Sequence, residues 1–297
     1  MNITSIILLV LKTSIMLSVF AIGLKATFAD VTFLFRNPGH LFRALLSMNV
    51  LMPLIALALI TTFDLHPAVK IALVAISVSP IPPVLPNKAL KAGGKEDYTI
   101  GLLVAMAILS IIFIPIAMEI VERIVEKPLV MRAGSIAVLV LTTILIPLGL
   151  GIVVRTIAPR IADRFAKPIS RIASLMLLLS FIPVVIIMAR PMLSLVGDGT
   201  LLTLAAFAVA GLIIGHLLGG PEPENRSTLA FATSSRHPAI AIAIANANYP
   251  EQKFAVPAVI LYVILSSILS ALYTKWVHHE GPGGAPATAA NKKPVAA

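Results

Sequence analysis

The 297-residue chain has no cysteine. Disulfides, thiolate metal sites and cysteine nucleophiles are excluded by that alone. Charge is also scarce. Only 12% of residues are Asp, Glu, Lys or Arg, about half the ~25% of an average soluble domain. With 58% hydrophobic residues, this excludes an ordinary soluble enzyme and equally a disordered chain. Acids are the scarcer sign, 13 against 23 bases, for a formal net charge of +10. The bases do not gather on one segment as a nucleic-acid patch would, so no nucleic-acid partner is expected. The hydrolase signatures HExxH and Gly-x-Ser-x-Gly are missing, as is any His-x-x-x-Asp run, and no enzyme is expected.

What the chain has is long apolar runs and a mean hydropathy of +0.99. A spanning helix needs about 20 mostly apolar residues. Nine segments qualify: 4–23, 41–63, 69–88, 98–119, 132–154, 170–189, 200–218, 227–248 and 254–275. The runs are continuously apolar and do not alternate, which argues against a β-barrel. The fold class expected is therefore an all-α polytopic membrane protein of about nine transmembrane helices, with the lipid bilayer as its first partner. Asn37-Pro38-Gly39, Gly93-Gly94, Lys127-Pro128, Gly197-Asp198-Gly199, Gly219-Gly220-Pro221 and Tyr249-Pro250 punctuate the gaps. The first run lacks a basic leader and a small-residue cleavage site, and reads as a retained span. Residues 276–297 read as a disordered cytoplasmic tail, Gly/Pro/Ala-rich from Gly281.

The bases set the orientation. With the N-terminus outside, Lys25, Arg36, Arg43, Lys91, Lys95, Arg155, Arg160, Arg164, Lys167, Arg171, Arg226, Lys275, Lys292 and Lys293 fall on the inner side, against Lys70, Arg123, Lys127, Arg132, Arg190 and Lys253 outside. Positive charge favours the cytoplasm. The expectation is N-terminus out and C-terminus in, within an inner (plasma) membrane.

Two spans are interrupted. The third carries Pro80, Pro82, Pro83 and Pro86 in seven residues. Each proline lacks a donor and clashes with the preceding turn. The eighth reads Thr233-Ser234-Ser235-Arg236-His237-Pro238 between apolar flanks. Unwound backbone at membrane depth persists only when buried in protein or lining a wet cavity, and such broken helices point to a transporter's central site. Each break is third in a set of four spans of opposite orientation. That spacing suggests an inverted repeat: residues 1–126 with the break at 80–87, and residues 127–275, holding an extra fifth span and the break at 233–238.

Several residues in order carry a resemblance. Gly23-Leu24, Asp30, Arg36-Asn37-Pro38 and Met52-Pro53 resemble the opening of the bile acid:sodium symporter family, where a Gly-Leu pair ends one helix and a Met-Pro lies in the next. The proline-rich break and Gly93-Gly94-Lys95 resemble that family's first crossover helix. Arg236-His237-Pro238-Ala239-Ile240-Ala241 sits where the second has Gln-Asn-x-x-Leu-Ala. The resemblance runs over about residues 15–275. It implies a panel domain and a core domain, two broken helices crossing in the core, and transport of organic anions by alternating access, mostly with sodium. Here the chain departs from the family pattern. Counting back from Arg236 to the family's acidic sodium ligand reaches Ala232. Of the Ser-Asn pair after the first crossover only Asn87 remains able to serve. Weak or absent sodium dependence is expected, with a residual sodium contact at Asn87 as the alternative.

The candidate substrate-binding residues are Arg236, His237, Ser234, Ser235, Asn87, Lys88, Asn49 and Lys12. A buried charge is costly in a membrane and normally faces a partner or water. The Arg236 guanidinium could fork onto a carboxylate, or bond carbonyls freed by Pro238. His237 could carry a proton or satisfy carbonyls, and Ser234 and Ser235 could donate to a substrate or cap a restarted helix. Lys88 and Lys12 could face a cavity or snorkel. Asn49 lies near where the family places a Gln beside sodium. Two further readings stay open: a carrier of another crossed-helix family (auxin-efflux-like or arsenite-permease-like), and a membrane protein that transports nothing.

Overall fold

The structure, a computed structural model, describes residues 3–125, 133–197 and 199–280. The expectations for Lys127, Arg132 and the tail from Gly281 fall outside the described residues. Among those described, every regular element is helical. Helix α1 (Ile3–Gly23) is followed by α2 (Phe28–Arg36) after a bend of 89°. Thr27 starts α2 with a capping box: the Asp30 amide donates to the Thr27 hydroxyl at 3.3 Å, and the Thr27 amide to the Asp30 carboxylate at 2.6 Å. Asp30 thus has a local structural task.

Two of the apolar runs carry a π-helical turn beside a proline. The first is α3 (Pro38–Leu45), a π turn at Leu46–Leu51, then α4 (Met52–Thr62). The Met52 amide reaches back to the Ser47 carbonyl, a π-type bond, and the next residue, Pro53, has no amide to give. Further along, α8 (Ala133–Val140) and α9 (Ile146–Ile157) flank a second π turn, Leu141–Leu145, with Pro147 in the equivalent place. Widening the turn relieves the clash between a proline ring and the preceding carbonyl.

The two interrupted runs are helix pairs. The first is α5 (Pro67–Val78) and α6 (Leu85–Lys91). The second is α12 (Pro223–Ser234) and α13 (Pro238–Asn248). Their breaks, 79–84 and 235–237, are shorter than the expected 80–87 and 233–238. Pro86 and Pro238 account for much of the difference, because each falls in a first helical turn, where a missing amide costs nothing. They start helices rather than ending them. The remaining helices are α7 (Glu96–Val125), α10 (Pro159–Leu193), α11 (Thr200–Leu218) and α14 (Ala255–Glu280). Helix α14 continues through residues 276–280, so the expected tail does not begin at 276. Among the described residues, six helices are long and apolar enough to cross a membrane, or seven with the bent pair α1–α2.

Helix α1 packs on α9 and α10, while α11, α12, α13, α14, α4 and α5 pack among themselves. Helix α10 turns Leu175, Leu178, Leu179, Ile182 and Ile186 outward, a surface suited to lipid. Helix α11 approaches α12 through a glycine stripe. A β-carbon at Gly211 would lie 2.8 Å from Ser234 Cα, one at Gly215 2.5 Å from Ala230 Cα, and one at Gly219 2.8 Å from the Arg226 amide nitrogen. Glycines at intervals of four thus meet Arg226, Ala230 and Ser234 at intervals of four, backbone against backbone. This stripe fixes where α12 ends.

Substituting the stripe should therefore overpack it. Gly215→Ala is expected to destabilise the protein by about 1–3 kcal/mol. Gly39→Ala, whose β-carbon meets nothing within 4 Å, should leave stability unchanged or slightly raised. Thermal unfolding of the purified proteins in detergent compares them, and equal midpoints would refute the close-approach reading.

Candidate functional site

The break at 79–84 is buried from Ser79 to Pro83, so its backbone groups need partners. The break at 235–237 supplies them. The His237 amide donates to the Pro80 carbonyl at 2.8 Å. The Arg236 guanidinium, in a side chain only 4% exposed, donates through Nη1 to the Ser79 carbonyl at 3.2 Å and through Nη2 to the Met48 carbonyl at 2.9 Å. The two breaks therefore meet, and Arg236 ties both to the π turn of the second apolar run.

Prolines explain why these carbonyls are free. In a continuing helix the Ser79 carbonyl would receive the amide of residue 82 or 83, and both are proline. The Met48 carbonyl would take, in π register, the amide of residue 53, again proline. The Ser234 carbonyl would take that of residue 238, also proline, and receives instead the phenol of Tyr262 on α14. Nearby, the hydroxyls of Ser47 and Thr233 share a hydrogen bond at 3.1 Å, tying the π turn to α12.

Some polar atoms at the junction have no protein partner. Among the described residues, seven buried side-chain nitrogens and oxygens lack one, and four of them are Ser234 Oγ, Arg236 Nε, and His237 Nδ1 and Nε2. Leaving such a group unsatisfied costs about 1–3 kcal/mol. All four lie within residues 234–237. No Asp or Glu is among the buried described residues. The guanidinium is thus bonded to neutral carbonyls alone, and its charge is uncompensated by any buried acid described.

The expected site residues separate into groups. Ser234, Arg236 and His237 come together at the junction. Ser235 is half-buried beside them, and Asn49 is half-buried next to Met48 in the π turn. Of the two roles considered for Arg236, carbonyl bonding is present, though to Ser79 and Met48 rather than to carbonyls freed by Pro238. Both terminal nitrogens of its fork are engaged, and Nε is buried without a hydrogen-bond partner. Lys88 leans over the Phe231 ring of α12, with Nζ 5.2 Å from its centroid. Asn87 turns instead into a narrow crevice with Ile22, Lys25, Glu96 and Ser170. Lys12 is exposed on α1.

Tyr262, Ser47 and one large cavity carry no signal in the sequence, and Thr233 reads there only as part of the break. That cavity, of about 590 Å³, is walled by α4, α5, α7 and α13, including Leu57, Val74, Met118 and Ile244, with Lys70, Asn248 and Gln252 among its polar groups. Its size suits a small ligand. One half of each broken pair, α5 and α13, forms part of its wall.

A family model described as the Sodium Bile acid symporter family matches residues 12–196. No curated protein matches the chain. The matched stretch includes the π turn at Leu46–Leu51 and the first break. Arg236 and His237 lie beyond it, so their reading rests on the geometry above.

The Tyr262 bond gives a direct test of the junction. Tyr262→Phe keeps the ring and strands the Ser234 carbonyl, which is expected to cost about 1–3 kcal/mol. A fall in the unfolding midpoint checks this, and a midpoint at the wild-type value would show that the carbonyl finds another donor.

Proposed function

Because this chain belongs to the sodium bile acid symporter family, whose members are transporters, we propose that it is a secondary carrier of a small organic anion, a carboxylate, working by alternating access. One observation carries the reading: a buried guanidinium with no buried acid partner, flanked by unpartnered donors on Ser234 and His237. In a low-dielectric interior such a centre favours an anion. Arg236 Nε, the Ser234 hydroxyl and the His237 ring would contact it. Ser235 and Asn49, half-buried next to Arg236 and Met48 in the chain, would border the same site. Lys88 sits on the opposite half-helix, and Lys12 on the other helical group; both have weaker claims.

We take α1 and each broken pair as one span alongside the six long helices, which makes nine spans, and place them in the inner membrane with the N-terminus out. On this reading α1, α9 and α10 form the panel, and the other spans form the core that moves against it. The two halves, 1–126 and 127–275, are the inverted repeats, with α5–α6 and α12–α13 crossing at their centre. Pro80 and His237 would then mark the midplane. The cavity between α4, α5, α7 and α13, with Lys70 in its wall, would admit an amphipathic anion from the outer side.

Uptake of a panel of carboxylates into proteoliposomes is the test. Ser234→Ala removes only a buried hydroxyl that has no hydrogen-bond partner, so it should leave the unfolding midpoint equal or higher; His237→Ala also opens a cavity where the buried ring was and should lower it. Each should reduce uptake about 10-fold or more, the worth of a hydrogen bond to a charged group. Arg236→Lys keeps the charge but loses the planar donor set, and should impair uptake despite its conservative character. Wild-type uptake in all three variants would overturn the assignment of the anion to this junction.

A further inference from the structure

We propose that the Arg236 guanidinium is the built-in cation of this protein: a tethered positive charge that fills the carbonyl cage at the meeting of the two breaks, so that no dissociable sodium ion binds there. The family implies sodium, and the residues present do not fit it. Sodium is a hard cation that needs several oxygen ligands free of competing donors. At this junction the backbone carbonyls each already accept a hydrogen bond, three of them from side chains. The Met48 and Ser79 carbonyls accept from Arg236, the Pro80 carbonyl accepts from the His237 amide, and the Ser234 carbonyl accepts from Tyr262. Three of the four were freed by prolines and are refilled by donors belonging to the same chain.

Side chains add little: the unpartnered oxygen at the junction is the single neutral hydroxyl of Ser234. No carboxylate is among the buried described residues, and buried Ala232 stands on α12 where the resemblance places an acidic ligand. Asn87, the one side chain held in reserve for a residual sodium contact, lines a different crevice beside Lys25. The guanidinium itself keeps its charge throughout the physiological range. A sodium ion at the same carbonyls would meet that charge at close range with no buried acid to offset it.

A tethered cation differs from a dissociable one in what it can do. It holds the two breaks and the π turn together and can neutralise an anion. It does not cross the membrane, so it carries no energy from a sodium gradient. The inference rests on the geometry of the cage and not on the identity of the anion. Its test uses no substrate, so its failure would leave the anion reading standing.

The experiment compares unfolding midpoints of the purified full chain in sodium chloride and choline chloride at constant ionic strength, together with equilibrium binding of radioactive sodium. The wild type should show no sodium-specific shift and no saturable sodium binding. Arg236→Ala empties the cage and should unfold several degrees lower. Millimolar guanidinium should restore part of that loss, and choline should not. A saturable sodium response of the wild type overturns the proposal. So does an Arg236→Ala midpoint equal to that of the wild type, or equal restoration by guanidinium and choline. Should Arg236→Ala fail to fold, the wild-type sodium measurements decide alone.

Discussion

A proline inside a membrane span removes an amide, and the carbonyl that amide would have served must find another donor. Water supplies it on a protein surface, but the hydrocarbon core does not. Three carbonyls at the centre of this protein are in that position: Met48 through Pro53, Ser79 through Pro82 and Pro83, and Ser234 through Pro238. Their donors come from two side chains, Arg236 and Tyr262. Removing either donor would strand buried backbone at a point where three helical segments meet. The fold therefore depends on a long-range exchange in which prolines from one part of the chain are answered by donors from another.

The surrounding packing holds that exchange in register. Gly211, Gly215 and Gly219 let α12 lie backbone to backbone on α11, and α12 ends where the stripe meets Ser234. The Ser47–Thr233 hydroxyl pair fixes α12 against the π turn whose Met48 carbonyl receives Arg236. The π turn in turn exists because Pro53 forbids a tight continuation. Backbone geometry, glycine spacing and side-chain donors thus place the same few atoms within hydrogen-bonding reach. Such mutual support makes an interrupted helix a stable feature instead of a defect.

Much of this was legible in the sequence, to different depths. The all-helical class and the location of both interruptions followed from hydropathy and proline, which are local signals. The edges were less legible, since a proline reads alike whether it ends a helix or starts one. Pro86 and Pro238 start helices, and nothing local to them distinguishes the two cases. The partners of Arg236 were not legible either. Ser79 lies 157 residues away and Met48 lies 188 away, and only the tertiary fold brings them near. The glycine stripe was in plain view at intervals of four, yet its neighbours became identifiable only with α12 in place. The large cavity left no sequence signal, because its walls are ordinary apolar residues on four separate helices.

Arg236 is buried with no buried acid among the described residues, and this bears on how the junction could change state. Neutral carbonyls stabilise a guanidinium by dipoles alone, which is weaker than a buried ion pair in which each charge answers the other. An acid partner would lock the charge and cancel its field. Carbonyls satisfy the donors and leave the field intact for a guest. The same bonds join the break at Ser79 to the break at Arg236, so a guest pulling on Nε also pulls on the link between two half-helix pairs. Ligand binding and the relative position of the breaks would then be coupled through one side chain, which gives a carrier a physical means of sensing occupancy at its centre.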